Sequence, residues 1–229
     1  MTASPYSVLR LKPKANARAI RHGAPWVYDN ELVLDRRSKN LAPGTIAVLE
    51  DAERNPMGLV AANPLSRITA RMIERDVTVA IDQAWFEAKI TRALALRERL
   101  FDAPFYRLIH AEADGLPGLV VDRFDDALVV QPNAAWIETL LEPLVAALAK
   151  VTGVSTILKN ASGRTRVLEG LDDENAVLLG TPPEAAVMVP MNGALYAADL
   201  TGGQKTGLFY DQRENHAFAA RLVPAGGDV

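Results

Sequence analysis

Short apolar runs broken by turn residues mark the first 75 residues of the chain. Ser7–Leu11 alternates, Thr45–Glu50 follows Ala42-Pro43-Gly44, Met57–Ala61 follows Asn55-Pro56, and Arg67–Ile73 alternates again. Each run predicts a strand. Between the first two, Ala15, Ala17 and Ala19 in a basic stretch predict one or two helical turns. In the last run Ile68, Ala70 and Met72 share one face, opposite Arg67, Thr69, Arg71 and Ile73. The two arginines on that second face require solvent or phosphate.

Helical spacing then takes over. Asp82 is placed to cap a helix running to about Phe101, with Glu87 in its early turns. Phe86, Ile90, Ala93, Leu94 and Leu100 form its apolar stripe, while Lys89, Arg92, Arg97 and Arg99 face out. Strands are predicted at Phe105–His110, Leu119–Asp122 and Ala127–Gln131, joined by turns at Asp114-Gly115 and Asp125-Asp126. A helix over Ala135–Lys150 and a strand at Val154–Leu158 follow. Three strands, a helix and a strand predict a compact α/β layer. Beyond Pro182-Pro183 the pattern predicts strands at Ala186–Pro190 and Ala194–Asp199, a glycine-rich loop, and a helix from about Gln212 to Leu222.

Composition narrows the function classes. With 49% hydrophobic and 23% charged residues, the chain is neither disordered nor of low complexity. Its apolar runs fall well short of the roughly 20 residues that span a bilayer. The opening Met-Thr-Ala-Ser-Pro-Tyr-Ser has no basic region followed by an apolar stretch, so a cytoplasmic protein without a secretory leader is expected. The absence of cysteine removes disulfides, Cys-ligated metal and thiolate chemistry from these 229 residues. The net charge of −3 conceals +5 over residues 1–75 and −8 over residues 76–229. Arg10, Lys12, Lys14, Arg18, Arg21, Arg36, Arg37 and Lys39 carry the excess. A basic module on an acidic body fits contact with a polyanion, nucleic acid above all, or a solvated face with clustered charge.

Most individual motifs are modest. The fifteen glycines never stand two residues apart, so a dinucleotide-binding fingerprint is missing. Thr201-Gly202-Gly203-Gln204-Lys205-Thr206 lacks the glycine that a phosphate-binding loop places before its lysine. His22, His110 and His216 have no ligand-type partner at helical spacing, so no metal site is expected. Glu112 and Asp114 fit an acid/base pair or the turn before Gly115, with the turn favoured. Asp172-Asp173-Glu174 reads as a solvated acidic loop, and Trp85 and Trp136 as core. Trp26 lies near Arg18, Arg21 and His22 and fits either a base-stacking surface or the core. The richest stretch is Gly202–Arg213, which combines a glycine pair, Lys205, Arg213, two aromatics and Asp211. Its cations could fix a carboxylate and an aromatic could pack on a flat ring; the plainer alternative is a loop with Asp211 capping the next helix.

Three segments resemble one family. Tyr106-Arg107-Leu108-Ile109-His110-Ala111-Glu112-Ala113-Asp114-Gly115-Leu116-Pro117-Gly118-Leu119-Val120-Val121-Asp122-Arg123-Phe124 is similar to the central signature of the large-subunit ribosomal RNA methyltransferase I-like group. Arg21-His22-Gly23-Ala24-Pro25-Trp26-Val27-Tyr28 resembles a run in that group's N-terminal PUA domain, with Gly23-Ala24 inserted. Lys205-Thr206-Gly207 with Asp211-Gln212-Arg213 resembles its Lys-Thr-Gly…Asp-Gln-Arg motif.

The resemblance implies an α+β chain: a small β-rich PUA barrel over residues 1–76, a central α/β domain of strand-strand-helix-strand type over 77–190, and the opening segment of a Rossmann-like methyltransferase domain over 191–229. It implies S-adenosylmethionine-dependent methylation of cytosine C5 in large-subunit ribosomal RNA, and a homodimer. That chemistry needs a cysteine thiolate to attack C6 of the base. With no catalytic residue of that kind here, the chain is expected to be a truncated portion, inactive alone. Lys205, Thr206, Gly207, Phe209, Asp211, Gln212 and Arg213 are implied at the cofactor, and Lys12, Arg18, Arg21, His22 and Trp26 are the RNA-side candidates. Two alternatives stand beside this reading: a non-catalytic PUA-type RNA-binding protein, and a PUA-bearing base-modifying enzyme using Asp114 or Asp122.

Overall fold

A computed structural model describes residues 6–203 and 206–223. Its first part comprises β1 (Ser7–Arg10), α1 (Ala17–Arg21), β2 (Trp26–Val27), α2 (Arg36–Lys39), β3 (Thr45–Glu50), β4 (Pro56–Ala62) and β5 (Ala70–Glu74). The strands form one sheet in the order β1-β3-β4-β5-β2, with β1 and β3 parallel. The expected barrel is not closed. The sheet is open, although Leu11 bridges to Leu32 beyond its β1 edge. β5 begins three residues later than its alternation predicts.

Both faces of this sheet are buried, which explains the continuous apolar run of β4. Leu9, Val27, Ala47, Leu49 and Val60 pack with Ile20 of α1 and Leu32 on one side. Val48, Leu59, Ala61 and Ile73 face the other way, into a core shared with the rest of the molecule.

The second part begins with α3 (Gln83–Leu100), capped by the Asp82 carboxylate, which accepts from the Trp85 amide at 3.0 Å. Two positions on α3 depart from the expected stripe. Arg97 points inward to Asp114 and the Arg107 carbonyl, and Leu100 is exposed. After α3 come β6 (Phe105–His110), β7 (Leu119–Phe124), β8 (Ala127–Pro132), α4 (Ala135–Thr139), α5 (Leu141–Thr152), β9 (Thr156–Lys159), α6 (Arg164–Leu168) and β10 (Ala176–Leu179). The single helix predicted over Ala135–Lys150 is broken at Leu140. Pro143, having no amide hydrogen and a bulky ring, cannot continue a helix from Thr139 but is tolerated in the first turn of α5.

The second sheet runs β10-β9-β8-β7-β6; β8 and β9 are parallel and the other pairs antiparallel. Its inner face joins Phe86 and Ile90 of α3, Trp136 of α4 and Leu144 and Leu148 of α5 in the main core. Its other face is covered by β11 (Val187–Met191) and β12 (Ala194–Ala198), an antiparallel hairpin, and by Tyr210. Last comes α7 (Arg213–Ala220). Asp211 does not cap it. Asp211 lies within a 3-10 turn, Tyr210–Gln212, and the residue at the helix start is Gln212.

Candidate functional site

The segment from Thr206 to Arg213 lies against β6 and β7, the two strands of the Tyr106–Phe124 signature. Thr206 is buried, and its Oγ1 donates to Asp122 Oδ2 at 2.6 Å. Gly207 has φ of +104°, and a Cβ there would stand 2.8 Å from the Asp199 carbonyl, so glycine is required at that position. The Tyr210 hydroxyl donates to the Arg123 carbonyl at 2.9 Å, and its ring lies 5.2 Å from that of Phe124. Arg213 donates to the Phe105 carbonyl and stacks over Phe101 at 4.6 Å. Asp211 and Gln212 keep polar groups at the surface, with Phe209 half-buried between them and Gly207. Lys205 lies outside the described residues.

Asp122 is the electrostatic centre of this contact. It is fully buried and paired with the guanidinium of Arg107 across the β6–β7 ladder, Nε to Oδ1 at 2.8 Å and Nη2 to Oδ2 at 3.1 Å. Burial pushes the Asp122 carboxyl up, and nearby Asp211 pushes the same way, against Arg107 and the Thr206 hydroxyl. Burial also pushes Arg107 down, but Asp122 and Asp211 outweigh it and raise this guanidinium. Burial, then the charge of Asp122, pushes the Tyr210 phenol up. Neither aspartate nominated for base chemistry is open to a substrate. Asp122 is enclosed, and Asp114 accepts from Arg97 and the His110 amide, both at 2.6 Å, fixing the turn before Gly115.

On the first sheet the RNA-side candidates separate. Lys12 is exposed, its Nζ donating to the Asn30 carbonyl at 2.9 Å. Arg18 and His22 are exposed on and just after α1. Arg21 is drawn into an ion pair with buried Asp51. Trp26 is 38% exposed, and its indole N–H donates to Glu112 Oε1 at 2.9 Å, which locks the ring. It lines a groove of about 480 Å³ with Asn16, Tyr28, Asn30 and Arg67. Tyr28 is not among the sequence candidates, and Arg67 enters the sequence reading only as an arginine that requires solvent or phosphate. The signal for Tyr28 was its position two residues after Trp26, which puts both rings on one face of extended chain. Arg71 needs neither solvent nor phosphate, because its Nη2 donates to buried Glu169 at 2.8 Å.

Among the described residues no cluster of His, Asp or Glu is placed to hold a metal, and no helix is long and apolar enough to cross a membrane.

Residues 9–75 match the PUA-like domain. The sheet carrying the Trp26 groove is therefore PUA-like. Ribosomal RNA large subunit methyltransferase I of Shewanella denitrificans is 36% identical over 218 residues, 94% of this chain and 54% of the relative. Ribosomal RNA large subunit methyltransferase of Deinococcus radiodurans is 33% identical over 229 residues, covering 94% and 55%. The chain thus spans about half the length of the curated relatives it matches. A solved protein from Streptococcus mutans, provisionally assigned as a SAM-dependent methyltransferase, superposes with a TM-score of 0.77 at 17% identity, covering 93% of this chain and 53% of its own. A second solved structure, with a TM-score of 0.75 and 18% identity, was determined in complex with SAH.

Proposed function

We propose that this chain is the RNA-binding and bracing part of a longer S-adenosylmethionine-dependent methyltransferase that modifies cytosine C5 in large-subunit ribosomal RNA. The observation that carries the reading is the docking of Thr206–Arg213 onto the β6–β7 signature, which joins two separated family-like motifs in one place. The names of the half-matched relatives support it. Three units are proposed, residues 1–76, 77–190 and 191–229, with the β11–β12 hairpin as the joint between the second and third. A homodimer and a cytoplasmic location belong to the same proposal.

In this reading the PUA-like sheet binds RNA through exposed cations and the Trp26–Tyr28 groove, phosphate contacts positioning the strand and stacking holding a base. The rim of the 206–213 segment fits one end of the cofactor. An exposed carboxylate on Asp211 and the amide of Gln212 suit the ammonium and carboxylate of a methionine moiety. Bound S-adenosylmethionine would supply the methyl group. Thr206, Tyr210 and Arg213, whose polar atoms are engaged with the sheet, hold this rim in place. The thiolate that C5 chemistry needs must come from outside these 229 residues, which contain no cysteine.

The test is the intact mass of the protein expressed from its full gene, with S-adenosylmethionine binding by calorimetry and methyl transfer to ribosomal RNA read by nucleoside mass spectrometry. The expected outcome is a mass well above 24.8 kDa, saturable binding and 5-methylcytidine. Methyl transfer by the 229-residue chain alone would overturn the division of labour. A mass of 24.8 kDa without binding would leave the non-catalytic RNA-binding reading.

A further inference from the structure

We infer that Asp122 and Thr206 form a positioning latch: the buried carboxylate of β7 holds the Thr206 hydroxyl and thereby fixes the 206–213 segment over β6 and β7. Its relevance to cofactor affinity rests on the function proposed above.

A carboxylate in this position demands a reason. Asp122 shares its face of the second sheet with Phe124 and Val129, both in an apolar cluster closed by the hairpin and Tyr210. An isolated charge there is costly, and Arg107 compensates part of that cost through two hydrogen bonds. The third hydrogen bond comes from Thr206, 84 positions away in sequence. That partner stabilises the carboxylate but brings no opposite charge. What it adds is a fixed point at the near end of a segment whose far end is tied by Tyr210 to Arg123 and by Arg213 to Phe105. Between the two ends the chain must pass through Gly207, close against the Asp199 carbonyl. With both ends held, Asp211 is kept within electrostatic reach of Arg107. Arg107 is hydrogen-bonded to Asp122 and feels Asp211 through its charge. Asp122 and Thr206 act through the segment and need not touch a ligand.

Replacement of Asp122 removes the partner of a charge and threatens the fold, so Thr206 is the position to test. Thr206→Val keeps shape and leaves the Asp122–Arg107 pair intact, and Thr206→Ser restores the hydroxyl. In the 229-residue chain, Thr206→Val is expected to speed amide hydrogen exchange over residues 207–213 by about tenfold, the loss of one charge-assisted hydrogen bond. Protection in β6, β7 and β8 is expected to stay at the wild-type level, and Thr206→Ser to return the segment to it. In the full gene product the same pair of variants is expected to weaken and restore S-adenosylmethionine binding in parallel. Wild-type exchange at 207–213 in Thr206→Val would overturn the latch. So would a loss of protection spreading through β6–β8, which would make Thr206 an ordinary core residue. A wild-type gene product that binds no S-adenosylmethionine would overturn the proposed function instead, with the latch still decided by exchange and serine rescue.

Discussion

At the residue scale, buried charge separates groups that fold the chain from groups left for ligands. Asp122→Ala leaves Arg107 beside an apolar face with its partner gone. The expected cost is about 3 kcal/mol, toward the low end for a broken buried pair because Arg107 retains some solvent contact. The urea midpoint of the chain measures it. Glu74 offers a pH test. Burial opposes its ionisation, but hydrogen bonds from the Trp85 indole, the Arg75 amide and Lys89, with the charge of Lys89, hold the carboxyl down at about 2. A depressed carboxyl stabilises fully above its ordinary value near 4.5 and loses that contribution as pH falls toward 2. Acid titration of stability over that interval should therefore be shallower in Glu74→Gln than in wild type; an unchanged slope would show that other carboxylates carry the effect.

At the element scale, the decisive junctions are where strands meet the elements packed against them. Gly118, just before β7, has φ of +81°, and a Cβ there would lie 2.5 Å from the Ala134 Cβ at the start of α4. Gly118→Ala is expected to cost about 2 kcal/mol, lowering the Tm by roughly 5 °C. A thermal melt at wild-type temperature would show that α4 can shift without penalty. Loss of the α3 cap in Asp82→Ala should cost only about 1 kcal/mol. The difference in scale has a simple cause: water can replace a cap, whereas a collision between β7 and α4 moves two elements. The pairing of Trp26 with Glu112 is another junction, since it joins the PUA-like sheet to the turn after β6.

At the scale of the whole molecule, RNA binding should carry the signature of the basic module. Affinity is expected to fall steeply with salt, and Arg67→Ala to reduce the slope of log affinity against log salt by about one unit. Trp26→Ala should instead weaken binding by about 1–3 kcal/mol with the salt slope kept, as loss of base stacking does. Filter binding across a salt series distinguishes them, and a salt-insensitive affinity would remove the basic face from the account.

Period and punctuation along the sequence determined much of this protein. The alternation of β1, the apolar runs of β3 and β4 behind their turn residues, the Asp82 cap of α3 and the strand-strand-strand-helix-strand order are local, and local patterns survive into the fold. Short elements were not legible: β2, α2, α6 and β10 are brief, and only pairing or packing with distant residues makes them regular. Sequence pattern puts Arg21 on the RNA side, Arg71 toward solvent or phosphate and Arg97 on an outward face, because their distant partners Asp51, Glu169 and Asp114 carry no local signal. The likeness of three separated segments to one family could be read along the chain, but their roles could not. Only the tertiary structure decided that Thr206 closes on Asp122, that Arg213 is held by Phe105, and that Trp26 is locked by Glu112. The physical reason is that hydrogen bonds and ion pairs depend on distance in space, and sequence pattern constrains only neighbours along the chain.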